Sequence, residues 1–149
     1  MSDLSVSRHI AGPPDQVWSV ITDLEGSVET ISGITNIERL DGGADFGVGT
    51  RWRETRKMFG KEATEEMEVT SLQPQRSYTT IADGHSVHYT STMSVAAAGD
   101  GTLLSMTFDA APQGGFAKFM AATVGRLMKG ATRKMIVRDL EDIAKAVEG

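Results

Sequence analysis

The chain has 149 residues, 23% of them charged and 40% hydrophobic, with a formal net charge of -5 and no cysteine. That length suffices for one unit with a sizeable core, and the balance excludes both a disordered tail and a membrane-spanning protein. Lack of cysteine removes disulfides and thiol catalysis, and the acidic surplus argues against a nucleic-acid partner, which requires positive charge to neutralise phosphates.

No apolar run approaches the ~20 residues of a spanning helix, so no stable membrane insertion is expected. The opening MSDLSVSRHIAG lacks the layout of a signal peptide, and the cytoplasm is the expected location. One stretch departs from the acidic average. Between 118 and 138 stand Lys118, Arg126, Lys129, Arg133, Lys134 and Arg138 with no acid among them. This is either a solvated helix face or a patch for anions or a membrane surface.

In chain order, residues 4–10 read as a strand, and Gly12-Pro13-Pro14 then punctuates the chain. Over 15–24, Val17, Val20, Ile21 and Leu24 recur at helical spacing, with Pro14 suited to the first turn. Thr22 and Glu25, three apart, fit a capping box opening a second short helix that Gly33 ends.

The segment TRWRETRK, 50–57, alternates like a strand but carries charge on both faces. A loop at Phe59-Gly60, or one spanning 58–61, resolves this by setting Arg51 opposite Glu68, Arg53 opposite Glu66, Thr55 opposite Thr64 and Lys57 opposite Glu62. Opposite charges facing one another suit the solvent side. The inner face then holds Thr50 with Val69, Trp52 with Met67, Glu54 with Glu65 and Arg56 with Ala63.

A four-residue turn at 72–75 would set Tyr78 beside Val69, Thr80 beside Met67 and Ala82 beside Glu65. A turn at Asp83-Gly84 would pair Tyr78 with Tyr89, Thr80 with Val87 and Ala82 with His85, and one at Asp100-Gly101 would pair Val95 with Met106 and Met93 with Phe108. All give one inner face. Its apolar part comprises Trp52, Met67, Val69, Tyr78, Tyr89, Met93, Val95, Met106 and Phe108, while Glu54, Arg56, Glu65 and His85 gather at one end.

Residues 115–147 read as one long helix. Phe116, Met120, Val124, Leu127, Ala131 and Met135 form one stripe, while Ile136, Leu140, Ile143 and Val147 lie nearly opposite, so its two halves pack on different surroundings, with Gly125 or Gly130 as bend points.

Strand, two short helices, six further antiparallel strands and a long C-terminal helix, with PPDQVWSVITDLEG, FGVGTRWRETRKMFGKEATEEMEVTSLQPQRSY and GDGTLLSMTF, resemble the SRPBCC superfamily of START and birch-pollen-allergen-like proteins, its polyketide cyclase/dehydrase-like members most of all. The resemblance covers 3–147. It implies an α+β helix-grip fold in which a curved antiparallel sheet of about seven strands wraps around the final helix, with one domain over 1–149. It also implies a cavity for lipids, polyketides, isoprenoids or other apolar molecules. The resemblance carries no catalytic signature with it.

The expected ligand is therefore small and apolar or amphipathic, walled by Trp52, Met67, Tyr78, Tyr89, Phe116, Met120 and Leu127 and oriented by Arg56. Six methionines, Met67, Met93, Met106, Met120, Met128 and Met135, suit either an adaptable wall or ordinary core packing. Glu54 and Glu65, direct neighbours across a strand pair, are the candidate catalytic residues, because close carboxylates share protons. The alternatives at that end are a solvated rim or an Arg-Glu bridge closing the cavity.

A cyclase or dehydratase and a chaperone-partner-like interaction module with a filled core remain alternatives to simple binding. Monomer and homodimer are both open. No cofactor or metal is expected: His85 and His88, three apart on a strand, point to opposite faces. Asp45-Phe46-Gly47 lacks the context of a kinase motif. Phe46 either gates the cavity mouth or anchors its glycine-rich loop.

Overall fold

The computed structural model describes all residues except 1, 43–44, 59, 85–86 and 113, and omits the side chains of 2–3, 58, 84, 112 and 116–128. Its elements are β1 (Ser2–Ile10), α1 (Pro14–Ile21), α2 (Ser27–Thr30), β2 (Ile34–Arg39), β3 (Arg51–Met58), β4 (Lys61–Gln73), β5 (Ser77–Gly84), β6 (Val87–Ala98), β7 (Gly101–Pro112) and α3 (Gly115–Glu148). The strands form one antiparallel sheet in the order β1-β7-β6-β5-β4-β3-β2. This is the helix-grip architecture expected from the sequence.

The faces fall as the alternation of residue types requires. Trp52 is 5% exposed and Val69 fully buried, while Arg51 and Arg53 reach outward to Glu66 at 3.3 and 3.2 Å. The β3-β4 register is the expected one, Trp52 opposite Met67 and Glu54 opposite Glu65, and the Thr55 and Thr64 hydroxyls bond at 2.9 Å.

The other three registers differ from expectation, each by an even number of residues. Val69 faces Thr80 instead of Tyr78, which pairs with Leu72. Pro74 cannot donate to a ladder and begins a tighter turn, in which Gln75 takes φ 63° and Arg76 N–H bonds to Gln73 O at 2.9 Å. A bulge between Val69 and Ser71 then turns Leu72 inward with Val69.

Tyr78 faces Met93 instead of Tyr89, because β5 continues through Gly84. That extension sets Asp83 opposite His88, whose Nδ1 lies 2.7 Å from its carboxylate. Met93 faces Met106 instead of Phe108, because Gly99 is the first turn residue, at φ 61°. Gly101 belongs to β7 instead: a Cβ there would stand 2.4 Å from Ile10 O, so the glycine permits β1 to approach.

The capping box does not form either. The Thr22 hydroxyl donates to Trp18 O at 2.8 Å, ending α1, and the Gly26 N–H that precedes α2 is bound by Asp23 Oδ1 at 3.1 Å.

Two apolar clusters organise the interior. In the larger, Ile136, Leu140, Ile143, Ala144 and Val147 of α3 pack with Leu4, Val6, Ile10, Val17, Trp18, Ile21, Val95 and Leu104. The second half of α3 is thus pressed on α1 and on the β1-β7-β6 part of the sheet. The smaller cluster comprises Leu24, Trp52 and Val69, and Tyr78 and Leu72 touch both. Phe46 settles as a loop anchor, its ring 4.9 Å from Tyr78 and 6.4 Å from Trp52.

Candidate functional site

Around these clusters the inner face is only partly buried, with Met93, Met106 and Phe108 bordering the larger one and Met67 the smaller. Met67, Tyr89, Ser91, Met93, Met106 and Phe108 all retain exposure, although alternation points them to the concave side. Tyr89 and Phe108 rest ring to ring at 5.7 Å. Thr80 and Ser91, opposite one another, satisfy each other at 2.8 Å, which makes a polar spot within an apolar wall.

This wall ends at an opening. β4 runs thirteen residues but β5 only eight, and their last pair is Met67 with Ala82. Among the described residues, 61–66 of β4 therefore have no strand on the β5 side. A groove of about 960 Å³ straddles that notch, lined mostly from the outer face, by Arg51, Arg53, Glu66 and Glu68 among others, and reaching the inner face at Glu65, Met67 and Tyr89. Burial and the nearby Glu65 charge raise the pKa of the Tyr89 phenol.

Next along the inner face lies a charged group. Arg56 donates from Nε to Glu54 Oε2 at 3.2 Å and from Nη1 to Asp139 of α3, whose oxygens stand 3.0 and 3.1 Å away. Trp52 Nε1 donates to the other oxygen of Glu54 at 3.2 Å. The three charged side chains are only 13, 12 and 11% exposed. Burial favours the neutral form of Arg56, but Asp139 and Glu54 outweigh it and its pKa rises. Burial likewise lifts the Asp139 carboxyl above the ordinary range, against the pull of Arg56 and with help from Glu54.

Of the alternatives for this end, an Arg-Glu bridge forms, between Arg56 and Glu54, and Asp139 shares the same guanidinium. Asp139 was missed, though it sits within the stripe Ile136, Leu140, Ile143, and an acid on an apolar helix face is the signal of a buried cation partner. Tyr78 lies deeper, its hydroxyl donating to Ile21 O at 3.2 Å, with its pKa pushed up by burial and by Glu54.

Trp52, Met67 and Tyr89 stand on the inner face as expected, whereas Phe116, Met120, Leu127 and Met128, like His85, lie outside the described residues. His9 Nε2 lies 3.1 Å from Ala98 O, at the closed end of the β6-β7 hairpin, far along the chain from His88 and Asp83.

Residues 1–148 match the family described as polyketide cyclase / dehydrase and lipid transport. The chain belongs to that family. No curated protein matches it. Solved structures share its fold at low identity. The protein TTHA0849 of Thermus thermophilus superposes with TM-score 0.81 at 18% identity, covering 98% of this chain and 97% of that one. A START superfamily protein of Mycobacterium smegmatis gives 0.76 at 15%, covering 98 and 97%. The di-domain ARO/CYC BexL from the BE-7585A biosynthetic pathway gives 0.80 at 12%, covering 99% of this chain and 50% of that one.

These likenesses agree with the helix-grip fold of the polyketide cyclase/dehydrase-like family within the SRPBCC superfamily. Among the described residues, no helix of this member is long and apolar enough to cross a membrane.

Proposed function

We propose that this family member binds a small apolar or amphipathic molecule between the sheet and α3, with its polar end at the notch beside Glu65 and Tyr89. The observation that carries the reading is the partly exposed inner wall, Met67, Tyr89, Met93, Met106 and Phe108, whose edge at Met67 and Tyr89 borders the groove at the notch. Apolar side chains left partly exposed on a concave face suit the wall of a small-molecule site. The family description, with its cyclases and lipid transport, supports the same class of ligand.

Within this reading Glu54 is an anchor, because both its oxygens are already engaged, by Trp52 and Arg56. Orientation of a polar group, and any proton transfer, is assigned to Glu65 with Tyr89 because both line the groove where it meets the inner face.

Native mass spectrometry of the purified chain tests the proposal, joined to titration with an environment-sensitive apolar dye. A retained small molecule, or dye binding that Tyr89→Ala weakens severalfold while Arg76→Ala on the outer turn leaves it unchanged, is the expected result. No retained mass and no saturable dye binding would refute it. Unchanged affinity in Glu65→Gln would remove Glu65 from the site.

A further inference from the structure

The outer surface of α3 carries a pattern that the ligand reading does not use. Six of the 15 lysine and arginine residues fall between 118 and 138, where none of the 20 acids lies. The four with described side chains, Lys129, Arg133, Lys134 and Arg138, are all exposed. Among the described residues, none of these four finds a hydrogen-bond or ion-pair partner. Elsewhere Arg8, Arg39, Arg51, Arg53 and Arg56 are each ion-paired, while the side chains of Lys57, Lys61, Arg76 and Lys145, scattered over the chain, show no hydrogen-bond or ion-pair partner among the described residues.

The neighbouring acids do not answer this charge. Asp139 faces Arg56, Glu141 is bound by Arg8 at 2.7 Å, and Asp142 accepts from Ser32 at 2.9 and 3.0 Å.

The helical period arranges the four cations in two rows. Lys129 and Arg133, four apart, form one row, and Lys134 and Arg138 form the other. Between the rows lie Gly130, exposed, and Val137, a large apolar side chain left 41% exposed. An apolar centre flanked by long cationic side chains is the layout of a helix that rests in a lipid interface: the stems lie along the acyl boundary and the charges reach outward to phosphates. A flat anionic surface satisfies both rows together.

We propose that this face of α3 docks the protein on an anionic lipid bilayer, peripherally and reversibly. It does not depend on the ligand reading, since it rests on exposed side chains that take no part in the inner wall, and empty protein should dock equally well.

The test is co-flotation of the full chain with vesicles of phosphatidylcholine, with and without phosphatidylserine, at low and high salt. Expected is binding only to the phosphatidylserine vesicles, lost at high salt, with each cation removed weakening it roughly fivefold. Lys129→Ala/Arg133→Ala and Lys134→Ala/Arg138→Ala should weaken it similarly, and Val137→Ser by a smaller, salt-insensitive factor. All these positions are exposed, so an unchanged urea midpoint confirms folding.

Absence of vesicle binding, equal binding to neutral vesicles, or double variants that bind as the parent does would each overturn the proposal. So would equally tight binding of soluble polyglutamate at matched charge, which would assign the face to acidic macromolecules in general.

Discussion

Arg56 is the residue whose removal tests the interior most severely. It joins a sheet carboxylate to a helix carboxylate, with contacts of 3.2 Å to Glu54 and 3.0 Å to Asp139. At an effective dielectric of about 20 each contact amounts to about 5 kcal/mol of attraction, most of it offset by desolvation of the ions. Arg56→Met removes the cation and leaves two carboxylates, 12 and 11% exposed, confronting one another. The expected loss of unfolding free energy at neutral pH is about 3–5 kcal/mol, the range for one lost partner of a buried pair.

The sign of the pH dependence follows from Asp139. Its folded pKa already lies above the ordinary value because of burial. Its contribution to stability is therefore fully present below the unfolded pKa and declines as pH rises through the folded one. Without Arg56, which pulls that pKa down, the decline extends to higher pH. Urea unfolding of parent and variant from pH 4 to pH 8 should give curves that converge on the acid side and diverge toward neutrality. Adding Asp139→Leu should restore much of the loss, since an uncompensated charge is removed. A pH-independent difference under 1 kcal/mol would show that the group is solvated and would refute the argument.

Further outcomes follow from the same geometry. Tyr78→Phe deletes the donor to Ile21 O and should cost about 1 kcal/mol in chemical denaturation; in the parent, absorbance titration should show this phenol resisting ionisation until the alkaline unfolding transition, because burial and Glu54 raise its pKa. Leu140→Ala, at a side chain 1% exposed, should cost about 2–5 kcal/mol by the same assay. The Glu141 carboxyl is held below its ordinary pKa by Arg8, so this contribution is present above the unfolded pKa and lost as pH falls through the folded one; Glu141→Gln should flatten the acid limb of the stability curve.

The sequence was most legible where its period matched the physics. Alternation assigned the faces of β3 to β7, because any strand with one buried side must sort its residues by parity. Pairing was another matter. Shifts of two or four residues preserve parity, so Tyr78 opposite Tyr89 and Tyr78 opposite Met93 fit the apolar pattern equally well.

Only the turns separate such registers, and the turn residues misled. Gly84 and Gly101 stand within strands, the second because Ile10 O lies too close for a Cβ, while Gln75 without glycine takes the positive φ. The β3-β4 hairpin was read correctly because its charged rows add a signal that parity lacks. Of the polar group, Glu54 and Arg56 were visible as inward charges on a strand. Asp139 was not, since a pairing more than eighty residues apart along the chain leaves no local trace.

The early end of β5 has a consequence for how copies of this protein meet. Val69 turns both its N–H and C=O toward β3, bonding Thr50 O and Gly49 N–H at 2.9 Å, so alternation turns the amides of Glu62, Thr64 and Glu66 toward the side where, among the described residues, no strand pairs with them. That row invites a stranger's strand and would seed fibrils in a neutral sequence. Two molecules joining there head to tail about Thr64 would bring Glu62 of each against Glu66 of the other, a repulsion acting before any bond could form. Acidification would remove that guard, and storage at low pH is where clumping of this protein should first be seen.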